Sequence, residues 1–349
     1  MKKYGHLWHR LISFHNLYSA YKNAIKGRRE KENVADFIFR AEEELLKLHK
    51  ELKNKAYSPE PYRTFYIYDK KRRLISSSPF RDRVVHHALC NVIEPIFEKT
   101  FIFDLYSNRK NKGVHKAVKR ARAFAKRYAY VLKCDIKKYF SSIDHLALKK
   151  TIRSKIKCSD TLRMTDLIID SSNPQDQTLD YFPGDNLFTP VERRKGLPIG
   201  NQTSQFFANV YMSPLDHFTK ECLKVKGYIR YVDDFLLFGE EKNQLWKHKK
   251  DIELFLTDYR LKLKPNGITL YRVENGFPFL GYRILPYAIL VQKTAILRFR
   301  RKTRVMQKLK TDGKISLLEI KQSLFGAMGH FVQADSYHLR CKLLREACF

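Results

Sequence analysis

Two aspartates stand side by side inside an apolar run, Tyr228-Ile-Arg-Tyr-Val-Asp-Asp-Phe-Leu-Leu-Phe238. Apolar residues on both sides of Asp233 and Asp234 predict two short strands with the acids at the tight turn between them. Crowding like charges there is costly unless something positive sits on them. A divalent metal is the natural partner, and Mg²⁺ is typically held by a few carboxylates plus substrate phosphates. The competing reading is a surface hairpin whose turn happens to be acidic. A bare Asp-Asp would favour that reading, whereas Tyr-x-Asp-Asp between apolar strands favours metal. A third acid fits the pattern, because Val131 to Asp135 reads as a short apolar strand ending on a carboxylate. Such a strand end beside the hairpin turn would bring three carboxylates together. Two metals about 3.5–4 Å apart would then bind, one activating a hydroxyl and one steadying a leaving pyrophosphate. The backbone carbonyl of Ile136 is a further oxygen ligand.

The elements that must position these acids follow from periodicity. Residues 34 to 54 carry Phe37, Ile38, Ala41, Leu45, Leu48 and Leu52 at helical spacing, which predicts one charged surface helix. Past Pro59 and Pro61, Tyr62 to Ile75 alternates and predicts a hairpin turning at Asp69-Lys70. Arg81 to Phe97 places Val84, Val85, Ala88, Leu89, Val92, Ile93 and Ile96 on one buried stripe of a helix. Its His86-His87 pair is read as capping or packing, since no carboxylate or cysteine spacing supports a metal. A helix is expected over Ser142 to Lys150, with Asp144 as its N-cap. Residues 171 to 195 are rich in Asn, Pro, Asp and Gly and predict a loop or insertion. Helical spacing returns over Gln205 to Phe218 and Thr294 to Lys310, with another helix after Ser316. Asp216 lies on one of these helices with nothing to aim it at a metal. Strands interleaved with helices in this order suggest an α+β layered domain.

Composition narrows the partners. The 349 residues are 44% hydrophobic, enough for a sizeable core and two or three packed subdomains. No stretch approaches the roughly 18 uninterrupted apolar residues of a membrane span, and Met1 to Arg10 lacks the apolar core of a signal peptide. A cytoplasmic protein with no membrane partner is therefore expected. Six cysteines without a Cys-x-x-Cys pair predict reduced, packed thiols. Lys+Arg 68 against Asp+Glu 36 gives a formal charge of +32. A polyphosphate partner gains affinity from such a charge by releasing counterions. The basic residues are spread over Lys70 to Arg73, Lys110 to Lys126, Arg193 to Lys195 and Arg298 to Lys310. That distribution suits a channel enclosing a duplex better than a compact DNA-reading module.

Four segments in order carry a resemblance: Asp135-x4-Phe140, Gly200 to Gln205, Tyr231-Val-Asp-Asp234 and Phe279-Leu-Gly-Tyr282. They follow motifs A, B, C and E of reverse transcriptases over roughly residues 60 to 285. The resemblance implies an α+β right-hand polymerase with fingers, a palm of antiparallel sheet backed by helices, and a small helical thumb. The corresponding division is an N-terminal helical segment 1–58, fingers and palm 59–285 and thumb 286–349. It also implies RNA-templated DNA synthesis from dNTPs, with Asp135, Asp233 and Asp234 holding two Mg²⁺ ions and an RNA/DNA duplex as partner. By the same carry-over, Phe140 excludes the ribose 2′-hydroxyl, its other reading being one more core aromatic, while Arg73 and Arg109 grip the triphosphate. Ile199, Gly200 and Gln205 lie at the nascent base pair. Lys264, before Pro265, is read either as the acid that protonates pyrophosphate or as a solvated lysine.

Within the family, Gly196-Leu-Pro-Ile-Gly-Asn-Gln-Thr-Ser-Gln205 departs from the common Gln-Gly and Ser-Pro of motif B. It resembles the reverse transcriptases of diversity-generating retroelements. So do Arg81-Asp-Arg-Val-Val-His-His-Ala-Leu, Ser107-Asn-Arg-Lys-Asn-Lys-Gly113 and Gly329-His330 with Gln333-Ala334-Asp335. That subclass implies frequent errors at template adenines, targeted diversification of a gene, and a basic oligomeric accessory protein. The rival lineages are retron, group II intron and phage-defence reverse transcriptases; no maturase or nuclease extension is expected after the thumb. A catalytically silent RNA-binding protein on the same fold is the reading from another class.

Overall fold

The computed structural model describes residues 2–30, 32–68, 72–173 and 179–347. The chain divides into two compact units, each assembled from separate stretches. The first comprises Met1–Phe103, Asp135–Leu223 and Lys250–Pro265. The second comprises Asp104–Cys134, Lys224–Lys249 and Asn266–Phe349.

The first unit is built on the Phe80–Glu98 helix, whose stripe of Val84, Val85, Ala88, Leu89, Val92 and Ile93 is almost wholly excluded from solvent. Against that stripe pack the Phe14–Ala24 and Gln202–His217 helices. The region expected as one helix over 34–54 is two, Glu32–Phe39 and Ala41–Lys53. Arg40 breaks it with φ −107° and ψ 28°, and Glu42, Glu43 and Glu44 then fill a new first turn where acids favour a helix start. Arg63–Tyr68 (β1) pairs antiparallel with Arg72–Ser77 (β2), as alternation predicts. The Asp69-Lys70 turn lies outside the described residues. His86 and His87 sit mid-helix, so they pack and cap nothing. Asp144 does cap, accepting the Ala147 N–H at 2.9 Å, but its helix is His145–Arg153 and a separate short helix covers Tyr139–Ser142. Within 171–195 the short Thr189–Glu192 helix interrupts the expected loop, and residues 174–178 lie outside the described residues.

In the second unit Tyr130–Asp135 (β3), Gly227–Tyr231 (β4), Asp234–Gly239 (β5) and Thr269–Arg272 (β6) form one sheet in the order β4-β5-β3-β6. β4 and β5 are antiparallel, as are β3 and β6. A second sheet joins Phe277–Phe279 (β7), Tyr282–Ile284 (β8) and Ile289–Val291 (β9). The Val114–Ala125 helix covers a core of Ile229, Leu236, Phe238, Phe277, Phe279 and Tyr282. Three C-terminal helices, Lys293–Thr311, Leu317–Val332 and Tyr337–Glu346, close on Phe299, Met328, Phe331 and Leu343. Ser316 and Glu319 form a capping box at the second of these.

Among the described residues no helix is long and apolar enough to cross a membrane, and Cys90, Cys134, Cys158, Cys222 and Cys341 are free thiols. Cys348 lies outside the described residues.

Candidate active site

Register fixes the acidic turn. Tyr231 faces Asp234 across β4 and β5, which leaves Val232 and Asp233 as the two turn residues. Val232 has φ 58°, a conformation that a β-branched residue adopts only under strain. Both of its backbone polar groups are held: the N–H donates to Ser107 Oγ at 3.0 Å, and the carbonyl accepts from the Arg230 guanidinium at 2.9 Å. Arg230 is fully buried in the strand just before the turn. The segment that supplies Ser107 pairs with β4, since the Arg230 N–H donates to the Asp104 carbonyl and the Tyr106 N–H donates to the Arg230 carbonyl. Asp104, itself buried, takes both Nε and Nη2 of Arg120, at 2.8 and 3.3 Å. The turn is therefore braced by a neighbouring segment as well as by its own hairpin.

Each strand-end acid of the expected triad carries a lysine. Lys133 Nζ lies 2.9 Å from Asp234 Oδ2, and it also reaches the Pro278 carbonyl at 3.4 Å. Asp135 closes β3 where the chain passes into the first unit. There its carbonyl accepts the Lys264 N–H at 2.8 Å, and Lys264 Nζ stands 3.4 Å from its Oδ2. Ile136 bridges antiparallel to Leu263 beside it. Lys264 is thus neither distant nor simply solvated. Lys133 was missed from sequence, although strand alternation puts it on the same face as Asp135, two residues on. Arg230 was also missed; a buried arginine in an apolar strand is costly unless it holds something, and that cost was the available signal.

The remaining candidates fall into place as follows. Phe140 is half-buried in the Tyr139–Ser142 helix, its ring edge-on to Tyr139 at 5.7 Å, and its carbonyl accepts the Leu197 N–H at 2.8 Å. Lys138, in the left-handed region with φ 44°, turns the chain into that helix. Tyr139 itself is buried and donates to the Ala208 carbonyl. Ile199 accepts the Ser76 N–H at 3.1 Å, tying the motif B loop to β2. Gly200 follows at φ +125°, where a Cβ would stand 3.4 Å from the Ser76 carbonyl and from Ile75 Cγ2. Glycine meets both constraints without strain. Gln205 is exposed on the helix that follows, and Arg73 is exposed on β2. Arg109 is half-buried and donates to the Leu105 carbonyl at 3.1 Å. Asp144 and Asp216 are both buried, and Asp144 is engaged as a helix cap.

At the C-terminal end two sequence signatures meet. Phe279 and Tyr282 pair across Leu280 and Gly281, a two-residue turn with φ 48° and 89°. The Tyr282 hydroxyl donates to the His330 carbonyl at 2.9 Å, and their rings lie 4.3 Å apart. Asp335 exchanges hydrogen bonds with Ile289: its N–H donates to the Ile289 carbonyl and its Oδ2 accepts the Ile289 N–H, each at 2.8 Å. These residues fasten the helices to the small sheet.

The donors expected from sequence for a metal, the carboxylates of Asp135, Asp233 and Asp234 and the carbonyl of Ile136, are all oxygens, the ligand class that suits Mg²⁺. Among the described residues no three His, Cys, Asp or Glu side chains are gathered into a metal-holding group. Instead, lysine amines compensate Asp135 and Asp234. Aspartate carboxylates are the donor type that fits such an ion.

The sequence model of the family described as "Reverse transcriptase (RNA-dependent DNA polymerase)" matches residues 59–284. The group II intron-encoded protein LtrA of Lactococcus lactis subsp. cremoris is 28% identical over 218 residues, covering 62% of this chain and 34% of LtrA. Protein YkfC of Escherichia coli (strain K12) is 26% identical over 283 residues, covering 69% of this chain and 71% of YkfC. Among solved structures, apo telomerase from Candida tropicalis, truncated from its C-terminal domain, is similar at 15% identity and a TM-score of 0.46, covering 70% of this chain and 59% of that one. The chain spans about a third of the length of LtrA. Since the match takes in well over half of its residues, the chain belongs to the reverse transcriptase (RNA-dependent DNA polymerase) family.

Proposed function

We propose that the chain is an RNA-directed DNA polymerase that extends a primer on an RNA template, with fingers and palm over 59–285 and a thumb over 286–349. The observation that carries this reading is the strained Val232 turn, clamped by Ser107 and Arg230, that presents Asp233 and Asp234. Asp135, Asp233 and Asp234, with the Ile136 carbonyl, would hold two Mg²⁺ ions, which supply activation of the 3′-hydroxyl and neutralisation of the leaving pyrophosphate. Lys133 and Lys264 keep Asp234 and Asp135 in place before the ions arrive. Arg73 and Arg109 bind the triphosphate with forked contacts, Phe140 excludes the 2′-hydroxyl, and Ile199, Gly200 and Gln205 line the nascent pair. In this reading Lys264 donates the proton to pyrophosphate.

The test is primer extension on an RNA template with dNTPs and Mg²⁺. Asp233→Asn and Asp135→Asn are expected to abolish synthesis while leaving the thermal unfolding midpoint near that of the wild type. Removing one ligand charge loosens both the ions and the alignment of the reacting oxygens. Wild-type extension by either folded variant would falsify the assignment.

The finer reading is a diversity-generating polymerase working with a basic accessory protein. It is supported by Ile199-Gly200 with Ser204-Gln205 in place of the common motif B pairs. Group II intron lineage is the second reading, favoured by the likeness to LtrA. Sequencing of cDNA made on the neighbouring RNA separates them, because errors concentrated at adenines support the first and an even error spectrum supports the second.

A further inference from the structure

A cavity of about 690 Å³ opens where the end of the Phe80–Glu98 helix meets the end of the Gln202–His217 helix. All of its lining residues belong to the first unit, and none is a residue proposed for metal, nucleotide or template. Phe97, Val210, Pro214, Phe218, Phe255 and Tyr259 make its walls. The Gln202–His217 helix carries Pro214, which has no N–H to give the preceding turn, and runs on into a π-helical turn, Phe218–Cys222. Such turns recur at functional sites. Here Phe218 lies on Phe255, with ring centroids 4.4 Å apart and planes 15° from parallel. Phe255 stacks in turn on Tyr259 at 5.1 Å and 20°. All three rings are only half-buried. A volume within the range of small-molecule sites, roughly 300–1,000 Å³, is thus walled by a ladder of rings.

Charge at the rim selects the sign of the occupant. Lys99 and Lys155 line the cavity, and among the described residues neither ammonium has an ion pair or a hydrogen bond. Glu221, the one carboxylate among the described lining residues, is already engaged: its Oε1 lies 2.6 Å from His217 Nδ1. Nε2 of the same ring stands 2.9 Å from the Thr100 carbonyl. An ammonium at the edge of an apolar recess attracts an anion more strongly than one in open water, because its surroundings screen less. An inorganic anion would leave the rings in water. A saturated chain would cover them without the offset stacking that a planar ring adds beyond its area. A nucleobase would bring hydrogen-bonding edges to walls that are mostly apolar, where an unmet polar edge is costly.

We propose that this cavity binds a small aromatic acid, a planar apolar ring system bearing one carboxylate. The ring packs against Phe218 and Phe255, and Lys99 and Lys155 hold the carboxylate.

The test uses the full chain with naphthoate as the probe. Equilibrium dialysis reads its affinity, and mass spectrometry reads the rate at which iodoacetamide alkylates Cys222, an exposed free thiol in the cavity wall. At ten times its Kd naphthoate is expected to slow alkylation of Cys222 about tenfold, with Cys341 in the second unit unaffected. Naphthylmethanol, which has the ring without the charge, should bind about tenfold more weakly. The double variant Lys99→Gln, Lys155→Gln should bring the acid down to the level of the alcohol. Cys222→Phe, which fills the cavity without removing a wall, should abolish binding while the thermal midpoint holds. Equal binding of acid and alcohol, decanoate binding as tightly as naphthoate, or binding that survives Cys222→Phe in a folded chain overturns the proposal. So does protection of Cys222 by AMP but not by naphthoate, which would make the ligand a nucleotide. Protection only by an acidic tryptophan-containing peptide also overturns it, since the cavity would then dock a protein. None of these readings depends on DNA synthesis, so the polymerase assignment stands or falls separately.

Discussion

Phe140 is placed by its backbone and left partly free in its ring. Its carbonyl is bonded to Leu197, its neighbour Tyr139 is anchored to the Ala208 carbonyl, and the ring itself is only half-buried. A ring carried on a backbone held this way can act as a steric stop, because its Cα is fixed by the short helix and its bonds. Phe140→Ala is therefore expected to lower the preference for dNTP over rNTP by roughly tenfold or more, with dNTP turnover much less affected. Single-nucleotide incorporation with each substrate measures this, and an unchanged preference would make Phe140 a packing residue only. The same scale shows what the sequence discloses. Asp135, Asp233 and Asp234 stand out because acids interrupt apolar strands. Lys133 and Ser107 do not stand out, since a lysine among so many and a serine in a basic loop gain meaning only when the chain brings them to Asp234 and Val232.

The β4–β5 hairpin was readable as two strands, but its turn breaks the usual chemistry of turns. Two-residue hairpin turns favour Gly, Asn or Asp at positive φ, and here Val232 occupies that position. The strain, on the order of 1–3 kcal/mol, is offset by the bonds from Ser107 and Arg230. Val232→Asn is expected to raise stability by about 1 kcal/mol, since asparagine tolerates this conformation. Chemical denaturation measures it, and a loss of stability would mean that packing of the valine methyls outweighs the strain. Other elements explain where pattern reading stops. Apolar spacing over 34–54 continues smoothly across the break at Arg40, because periodicity records which face is buried and says nothing of one residue leaving the helical region. Phe279-Leu-Gly-Tyr282 was legible as a motif, whereas its role as a tight turn packed on His330 depends on residues distant in the chain.

Charge acts on the molecule as a whole, through protons and through salt. His86 and His87 lie on one helix with pKa values lowered to about 3 and about 4, first by burial. His87 and Arg83 then act on His86, and Arg28, Arg83 and Lys26 act on His87. Above the ordinary value of 6.5 the folded and unfolded chains bind equal protons at these sites, and their contribution to stability is complete. As pH falls below 6.5 the unfolded chain takes up protons that the fold refuses, so stability declines by up to about 1.4 kcal/mol per pH unit for each group. Asp82, raised chiefly by burial, has the opposite sign: its protonation in the fold returns some stability as pH falls toward its unfolded value. Denaturation at successive pH values should show the decline between neutrality and pH 5, shallower by about one proton in His87→Asn; an equal slope would mean that His87 charges freely in the fold. Salt reads the other consequence of charge. A formal +32 spread over both units disfavours compaction and gains nothing from a neutral ligand, but each phosphate it meets releases a counterion. If six to ten phosphates of an RNA/DNA duplex are neutralised, affinity should fall by roughly 10³- to 10⁵-fold between 50 and 200 mM salt. Anisotropy of a labelled duplex at constant Mg²⁺ measures the slope. A nearly flat dependence would show that the basic surface does not lie along a nucleic-acid backbone, and the duplex-enclosing channel would have to be abandoned with it.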